Sequence, residues 1–244
     1  MALKENTVMS ESILVVGMSH VEAIDRALDD ADRRQIRVLA LNREPGIFDV
    51  KANRLDLSAI TGSCPKVVCL SLGGNFHNIF GLLELPQPIR MGDPTLGSVP
   101  APPKRLFVPH DLMRLHFERR IDRLLSHAEA IHEHFCEARF FYLCAPPPIA
   151  DETHLARHPG VFRSRLHMGF APHDLRLALH RLQRDIYAAR AARNGAVFLD
   201  PPMQACDAGG FLGRDYWAND PTHGNAAYGR LVVDQIRARE ALAA

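Results

Sequence analysis

Short apolar runs alternate along the chain with segments in which apolar residues recur at helical spacing. The first run, Ile13 to Val16, ends at Gly17 and is followed by a helical pattern from Glu22 to Leu28. A continuous apolar run of this length predicts a buried strand, and the recurrence every three to four residues predicts an amphipathic helix. The same reasoning predicts four further strands at 36–41, 65–72, 140–145 and 195–200.

Three longer helical patterns are interspersed with the later strands. They cover 111–131 with Asp111 as the cap, 174–189 opened by Asp174, and 224–244. Strands that alternate with helices imply parallel pairing, right-handed crossovers and helices on both faces of the sheet. We therefore predict an α/β fold, a single three-layer αβα sandwich over residues 1–244. A Rossmann-type cofactor fold is the competing architecture, but neither a G-x-G-x-x-G motif nor a P-loop is present.

Two segments fall outside this alternation. Residues 1–11 are polar and are expected to be flexible. Residues 85–109 are rich in proline, which excludes a regular helix. We expect an insertion loop there, and the sequence leaves open whether it closes over a site or is a plain surface insertion.

Composition limits the partners and the compartment. The chain has 244 residues, a formal net charge of +1 and 47% hydrophobic residues, which is typical of a globular protein with no electrostatic reason to bind nucleic acid or a membrane. The polar start does not resemble a signal peptide. The five cysteines contain no C-x-x-C pair, so we expect reduced, mostly buried thiols in a cytoplasmic protein, without zinc or another cofactor. The oligomeric state stays open.

Residues able to carry chemistry follow the predicted strands. Ser19 follows the first strand, Asn75 follows the third, and Asp220 stands three residues before His223 near the final helix. Open α/β sheets bind ligands at the carboxyl ends of their strands. A serine hydroxyl needs a neighbouring base to become a nucleophile, and an aspartate can orient a histidine for that purpose. An asparagine amide can donate to the oxyanion that forms.

Three short motifs resemble, in order and spacing, those of the SGNH (GDSL-type) hydrolases: Gly17-x-Ser19, Gly73-Gly74-Asn75 and Asp220-x-x-His223. The resemblance extends from about Ser12 to Ile236. It implies a flavodoxin-like five-stranded parallel sheet of order 2-1-3-4-5 and a Ser-His-Asp esterase mechanism. Ser19 would be the nucleophile, His223 the general base and Asp220 its partner. The oxyanion hole would use the Ser19 and Gly46 backbone N–H groups and the Asn75 side chain.

Two positions depart from the family pattern. Met18 and Phe76 stand where the family usually has aspartate. Neither belongs to the implied triad. Because both differ from the family pattern, the alternative that the chain is a non-catalytic binding or scaffold domain that retains the fold stays open. An acyltransferase with the same triad is a second alternative, because water and an alcohol would use the same base.

Further residues could contact a substrate, and each also has a purely structural interpretation. His20, Gly74, Phe76 and Trp217 are the candidates. A polar residue at a helix start is the favoured interpretation of His20, and Trp217 equally suits the core. His127, His132 and His134 lack the spacing of a metal site and predict a solvated helix face. The basic stretch from Arg157 to His167 could bind an anionic substrate group, but a plain surface segment is the favoured interpretation. The three motifs together predict a serine esterase that acts on a small or carbohydrate-borne acyl ester.

Overall fold

A computed structural model describes residues 12–49, 51–60, 64–92 and 105–242. Its strands are β1 Ile13–Gly17, β2 Ile36–Ala40, β3 Phe48–Asp49, β4 Arg54–Leu55, β5 Val67–Ser71, β6 Ile89–Met91, β7 Leu106–Val108, β8 Arg139–Leu143 and β9 Val197–Leu199. Its α-helices are α1 Val21–Ala27, α2 Asp30–Arg33, α3 Phe76–Gly81, α4 His110–His134, α5 Glu152–Arg157, α6 His173–Arg193 and α7 Ala226–Ala241.

A five-stranded parallel sheet forms the centre of the molecule. Its order is β2-β1-β5-β8-β9, which is 2-1-3-4-5 when these five strands are counted along the chain. The predicted fold class and strand order are confirmed. Gly17 pairs with Ser71, so β1 and β5 end side by side. The turns that follow these two strands therefore start at the same edge of the sheet.

Two apolar layers cover the two faces of this sheet. Leu14 and Val16 of β1 belong to the layer that contains α4 and α6, whereas Ile13 and Val15 belong to the layer that contains α1 and α7. All four side chains are buried, as expected for a central strand of a parallel sheet. Burial of each contributes about 1.5–3 kcal/mol, so this strand is a rigid support for the residues that follow it.

The helix boundaries differ from the predicted ones for identifiable reasons. Helix α4 begins at His110 behind Pro109, and the Asp111 side chain does not cap it, so that assignment was wrong. Helix α7 begins at Ala226, because the Asn225 side chain accepts hydrogen bonds from the N–H groups of Ala227 and Tyr228. The predicted start of this helix was therefore two residues too early.

The insertion at 85–109 has regular structure at its two ends. Strands β6 and β7 pair in parallel, with Ile89 opposite Leu106. The described part of the predicted insertion loop therefore contains two short strands that the sequence did not indicate. The rest of the insertion, and the N-terminal segment that was expected to be flexible, lie outside the described residues.

The cysteines are more exposed than expected. Cys69 in β5 is buried, whereas Cys64 and Cys136 are exposed, so the prediction of mostly buried thiols was wrong. Cys64 precedes a strand and Cys136 follows the end of a helix, where side chains meet solvent. Within the described ranges, none of the helices combines the length and apolarity needed to cross a bilayer.

Candidate active site

The structure brings together three polar side chains from opposite ends of the chain. Ser19 lies in the turn between β1 and α1, and its Oγ is 2.8 Å from His223 Nε2 across 204 residues of sequence. His223 Nδ1 lies 2.9 Å from Asp220 Oδ1. These distances are hydrogen-bonding distances. The three side chains therefore form a connected Ser-His-Asp line at the carboxyl edge of the sheet.

Asp220 organises the turn that presents His223. Its Oδ1 accepts the backbone N–H of Thr222 at 2.8 Å and that of His223 at 2.9 Å, in addition to the imidazole. Burial alone would raise the pKa of this carboxyl, but its hydrogen bonds and the nearby His223 lower it to about 2. The carboxylate is thus ionised at neutral pH, and it holds the imidazole with its proton on Nδ1 and its lone pair towards Ser19.

Trp217 holds the loop that carries His223. Its indole N–H donates to the Leu212 carbonyl at 2.7 Å, and its backbone forms a bridge to Gly224. The ring is half-buried and lies 4.8 Å from the His154 ring, measured between centroids. Trp217 therefore has a structural role in this loop, and its contact with a substrate stays a prediction.

His20 is buried directly beside the Ser-His-Asp line. Its ring centroid lies 4.8 Å from that of His223, and the side chain is only 8% exposed. Neither ring nitrogen forms a hydrogen bond with a described residue, although the Gly74 backbone lies close by. Burial and the neighbouring His223 lower the pKa of His20 to about 3, against the opposing effect of Asp220. His20 occupies the helix start as predicted, but its side chain is a neutral buried ring and does not cap α1.

The two glycines after β5 have separate structural causes. A Cβ on Gly73 would lie 1.9 Å from the Tyr187 hydroxyl oxygen, so a larger residue here would force the Tyr187 side chain of α6 to move. Gly74 has a φ of +60°, in the left-handed region that favours glycine. The turn delivers Asn75 to the N-terminus of α3, where its Oδ1 accepts a hydrogen bond from Asn78 Nδ2 at 2.6 Å. The Asn75 Nδ2 group donates to none of the residues that the structure describes and is therefore free to bind a ligand.

Gly46 and Phe76 are less closely tied to the site. Gly46 is exposed, with no atom within 4 Å of the position that a Cβ would take. Phe76 is half-buried and packs on the layer of α4 and α6, which gives it a structural role. The oxyanion-hole role of Gly46 and the substrate contacts of Phe76 and Gly74 stay predictions.

Two of the three α4 histidines are not on a solvated face. The His132 ring stacks on Phe140 with 3.5 Å between ring centroids, and the His127 ring meets the edge of Phe48 at 5.4 Å. The predicted solvated face was therefore wrong for these two and holds for His134, which is exposed. Among the described residues, no group of three or more His, Cys, Asp or Glu side chains is placed to hold a metal ion.

Sequence reasoning missed the buried polar residues behind Asn75. His77, Asn78, His180 and Gln183 are all buried, and the last two lie on the inward face of α6. Polar residues at positions where an amphipathic helix should be apolar, between Leu179 and Ile186, were the available signal.

Solved structures share this fold at low sequence identity. No family model matches the chain, and no curated protein matches it by sequence. A protein from Streptococcus pneumonia that is named after platelet activating factor aligns with a TM-score of 0.54 and 13% identity, over 96% of this chain and 86% of that one. The periplasmic domain of a lipopolysaccharide acetyltransferase from Salmonella ser. Paratyphi A aligns with a TM-score of 0.51 and 13% identity, over 94% and 83%. An extracellular lipase from Streptomyces rimosus aligns with a TM-score of 0.50 and 15% identity, over 92% and 98%. At these identities the likeness establishes the fold alone.

Proposed function

We propose that this protein is a serine esterase of the SGNH type, with Ser19 as nucleophile, His223 as general base and Asp220 as its orienting partner. The observation that carries the proposal is the continuous contact from Ser19 Oγ to His223 Nε2 at 2.8 Å and from His223 Nδ1 to Asp220 Oδ1 at 2.9 Å. A hydroxyl, an imidazole and a carboxylate in this order are the parts needed for acyl transfer through a covalent intermediate.

The proposed reaction has two steps. His223 Nε2 takes the Ser19 proton as Oγ attacks the ester carbonyl, and Asp220 stabilises the imidazolium. The Asn75 Nδ2 group and the backbone N–H groups of Ser19 and Gly46 donate to the oxyanion. The intermediate collapses as the leaving alcohol takes the proton from His223. Water activated by the same imidazole then hydrolyses the acyl-enzyme.

The retained geometry favours an enzyme over a non-catalytic domain. A binding domain has no need to keep Ser19 and His223 in hydrogen-bonding contact. Met18, the main departure from the family, is partly buried and packs against the layer of α4 and α6, so an apolar contact supports the turn there. Transfer of the acyl group to an alcohol is the second candidate. The acetyltransferase domain with the same fold supports it, and the proposed base would serve both acceptors.

A fluorophosphonate probe tests this proposal. We expect the wild-type protein to be labelled and Ser19→Ala to be unlabelled, whereas Ser126→Ala, which changes an exposed serine on α4, is labelled like the wild type. Mass spectrometry of the labelled peptide should place the adduct on Ser19. An unlabelled wild type, or labelling that survives in Ser19→Ala, contradicts the proposal. Acylated products formed in the presence of added sugars or methanol would favour the transferase.

The acyl group is expected to be small. The side chains that the observed contacts connect to Ser19 are polar: His223 bonds to Ser19, and Asp220 and His20 contact His223. We expect kcat/KM for p-nitrophenyl acetate to exceed that for the octanoate. A series of p-nitrophenyl esters of increasing chain length measures this preference, and the opposite order would refute it.

A further inference from the structure

A buried chain of polar side chains joins α3 to α6 behind Asn75. His77 and Asn78 are each 1% exposed and Gln183 is 3% exposed. Polar groups at this depth are costly unless they are hydrogen-bonded. These three residues, called the buried polar chain below, bond to one another and to the backbone on either side of Asn75.

Two backbone groups fix the orientation of the Gln183 side-chain amide. The His77 backbone N–H can only donate, and it lies 2.9 Å from Gln183 Oε1. The Gly74 carbonyl can only accept, and it lies 3.1 Å from Gln183 Nε2. An amide that bonds to both groups has a single possible orientation. The Gln183 oxygen therefore faces His77, and its NH₂ group faces Gly74.

The orientation of Gln183 determines which nitrogen of the His77 imidazole carries the ring proton. Nδ1 of this ring lies 3.2 Å from Gln183 Oε1, which has no proton to give, so Nδ1 carries the ring proton. Burial, with His180 nearby, holds the pKa of His77 well below its usual range, so the ring is neutral. Its Nε2 is therefore an acceptor.

Asn78 connects His77 to Asn75 through two hydrogen bonds. Asn78 Nδ2 lies 3.0 Å from His77 Nε2 and 2.6 Å from Asn75 Oδ1. Its two protons match these two acceptors, so Asn78 must present its NH₂ group and Asn75 must present its oxygen. The remaining Asn75 group is Nδ2, which points away from this contact.

We propose that the buried polar chain sets the amide orientation of Asn75, so that Nδ2 and not Oδ1 faces the oxyanion. This inference rests on the proposed esterase function. A flipped Asn75 would present a lone pair to the developing negative charge, which would repel it. His77, Asn78 and Gln183 are thus positioning residues: they act through Asn75 and do not touch the substrate.

The variant Asn78→Asp replaces the NH₂ group that donates to Asn75 with an oxygen, and it changes the shape of the side chain very little. A carboxylate cannot donate to Asn75 Oδ1, so Asn75 turns its NH₂ group towards residue 78. We expect kcat for p-nitrophenyl acetate to fall about 100-fold with little change in KM, the cost of one oxyanion donor. In an Asn75→Ala background the same change should lower kcat no further. A purely structural role would lower kcat in both backgrounds.

Two further variants accompany this measurement. Asn78→Ala removes the donor without adding a charge, and it should cause a smaller loss that also vanishes in the Asn75→Ala background; it serves if Asn78→Asp fails to fold. Asn194→Asp makes the same change at a partly buried amide that donates to the Tyr142 hydroxyl at 2.8 Å, next to the amino end of β9. It should leave kcat unchanged.

Nitrogen-15 NMR of the histidine rings gives a readout that does not depend on activity. We expect His77 of the wild type to be neutral and protonated on Nδ1. An active wild type whose His77 is protonated on Nε2, or whose Asn78 variants lose kcat equally in both backgrounds or in neither, overturns the inference alone. A wild type that neither cleaves p-nitrophenyl acetate nor reacts with the fluorophosphonate probe overturns the proposed function and this inference with it.

Discussion

One carboxylate oxygen, Asp220 Oδ1, both folds the turn before α7 and contacts the imidazole. It accepts the backbone N–H groups of Thr222 and His223 and also faces His223 Nδ1 at 2.9 Å. The backbone bonds need only an oxygen acceptor, whereas orientation of the imidazolium needs a negative charge. Substitution can therefore separate the two roles.

Replacing Asp220 by asparagine should remove the charge and keep the turn. The amide oxygen still accepts the two backbone N–H groups, so the unfolding free energy should change little. The same oxygen also keeps the proton on His223 Nδ1, but without its negative charge it stabilises the imidazolium much less, and kcat should fall about 100-fold. Steady-state hydrolysis of p-nitrophenyl acetate with urea unfolding measures both. A loss smaller than tenfold would show that the charge of Asp220 does not stabilise the imidazolium.

The residues of the proposed triad were predictable because their signals are local. Asp220 and His223 share one turn, and Ser19 stands three residues after an apolar run that predicts a buried strand. The contact between His77 and Gln183 joins residues 106 positions apart, and nothing in either local sequence specifies its partner. The sequence could have flagged a polar residue on the inward face of α6, but the pairing within the buried polar chain was beyond sequence reasoning, as was the depth at which His20 is buried.

Helices α1 and α7 cross at backbone contact. A Cβ on Gly229 of α7 would lie 1.9 Å from the Ala23 carbonyl oxygen of α1. Because α1 follows Ser19 and α7 follows His223, this crossing fixes the two turns relative to each other. The close approach of the two helices depends on the absence of a side chain at Gly229.

The variant Gly229→Ala should be strongly destabilising. The new methyl group meets backbone atoms, which cannot move aside as the end of a side chain can, and we expect a loss of about 3 kcal/mol. Gly46→Ala is the matched control, because a Cβ there has no atom within 4 Å. Urea unfolding of the two variants compares them, and equal stability would mean that the helices do not cross this closely.

At the level of elements, the five sheet strands were predictable and the two small ribbons were not. Apolar runs such as Val67 to Leu70 are long enough to identify a buried strand. Strands β3, β4, β6 and β7 have only two or three residues each and pair outside the main sheet, so they leave no periodic signal. Helix ends shifted where a proline or an asparagine cap, at Pro109 and Asn225, decided the first turn.

Across the whole molecule, three buried histidines make the fold sensitive to acid. Burial, with His223 nearby, lowers the pKa of His20 to about 3, and burial lowers the pKa of His180 to about 4 against a hydrogen bond to the Ala145 carbonyl. Burial lowers the pKa of His77 as well. The unfolded chain binds these protons near pH 6.5, whereas the folded chain excludes them until the pH is much lower. Stability is therefore complete above about pH 6.5 and falls as the pH decreases towards the folded pKa values.

The variant His20→Leu should lose less unfolding free energy than the wild type as the pH falls. Neither nitrogen of the His20 ring forms a hydrogen bond with a described residue, so an apolar side chain of similar size loses little at neutral pH. Between pH 7 and pH 4, His20 alone should account for about 3 kcal/mol of the lost unfolding free energy. Urea unfolding at a series of pH values measures the difference between the variant and the wild type. Parallel pH curves would contradict a neutral buried His20.

The 204 residues between Ser19 and His223 have a consequence during synthesis. A ribosome translates the hydroxyl 204 residues before the imidazole. Until His223 leaves the exit tunnel, the growing chain carries a serine that has no base. Prematurely terminated products would then be chemically silent towards esters, and ester cleavage would report that translation had passed residue 223.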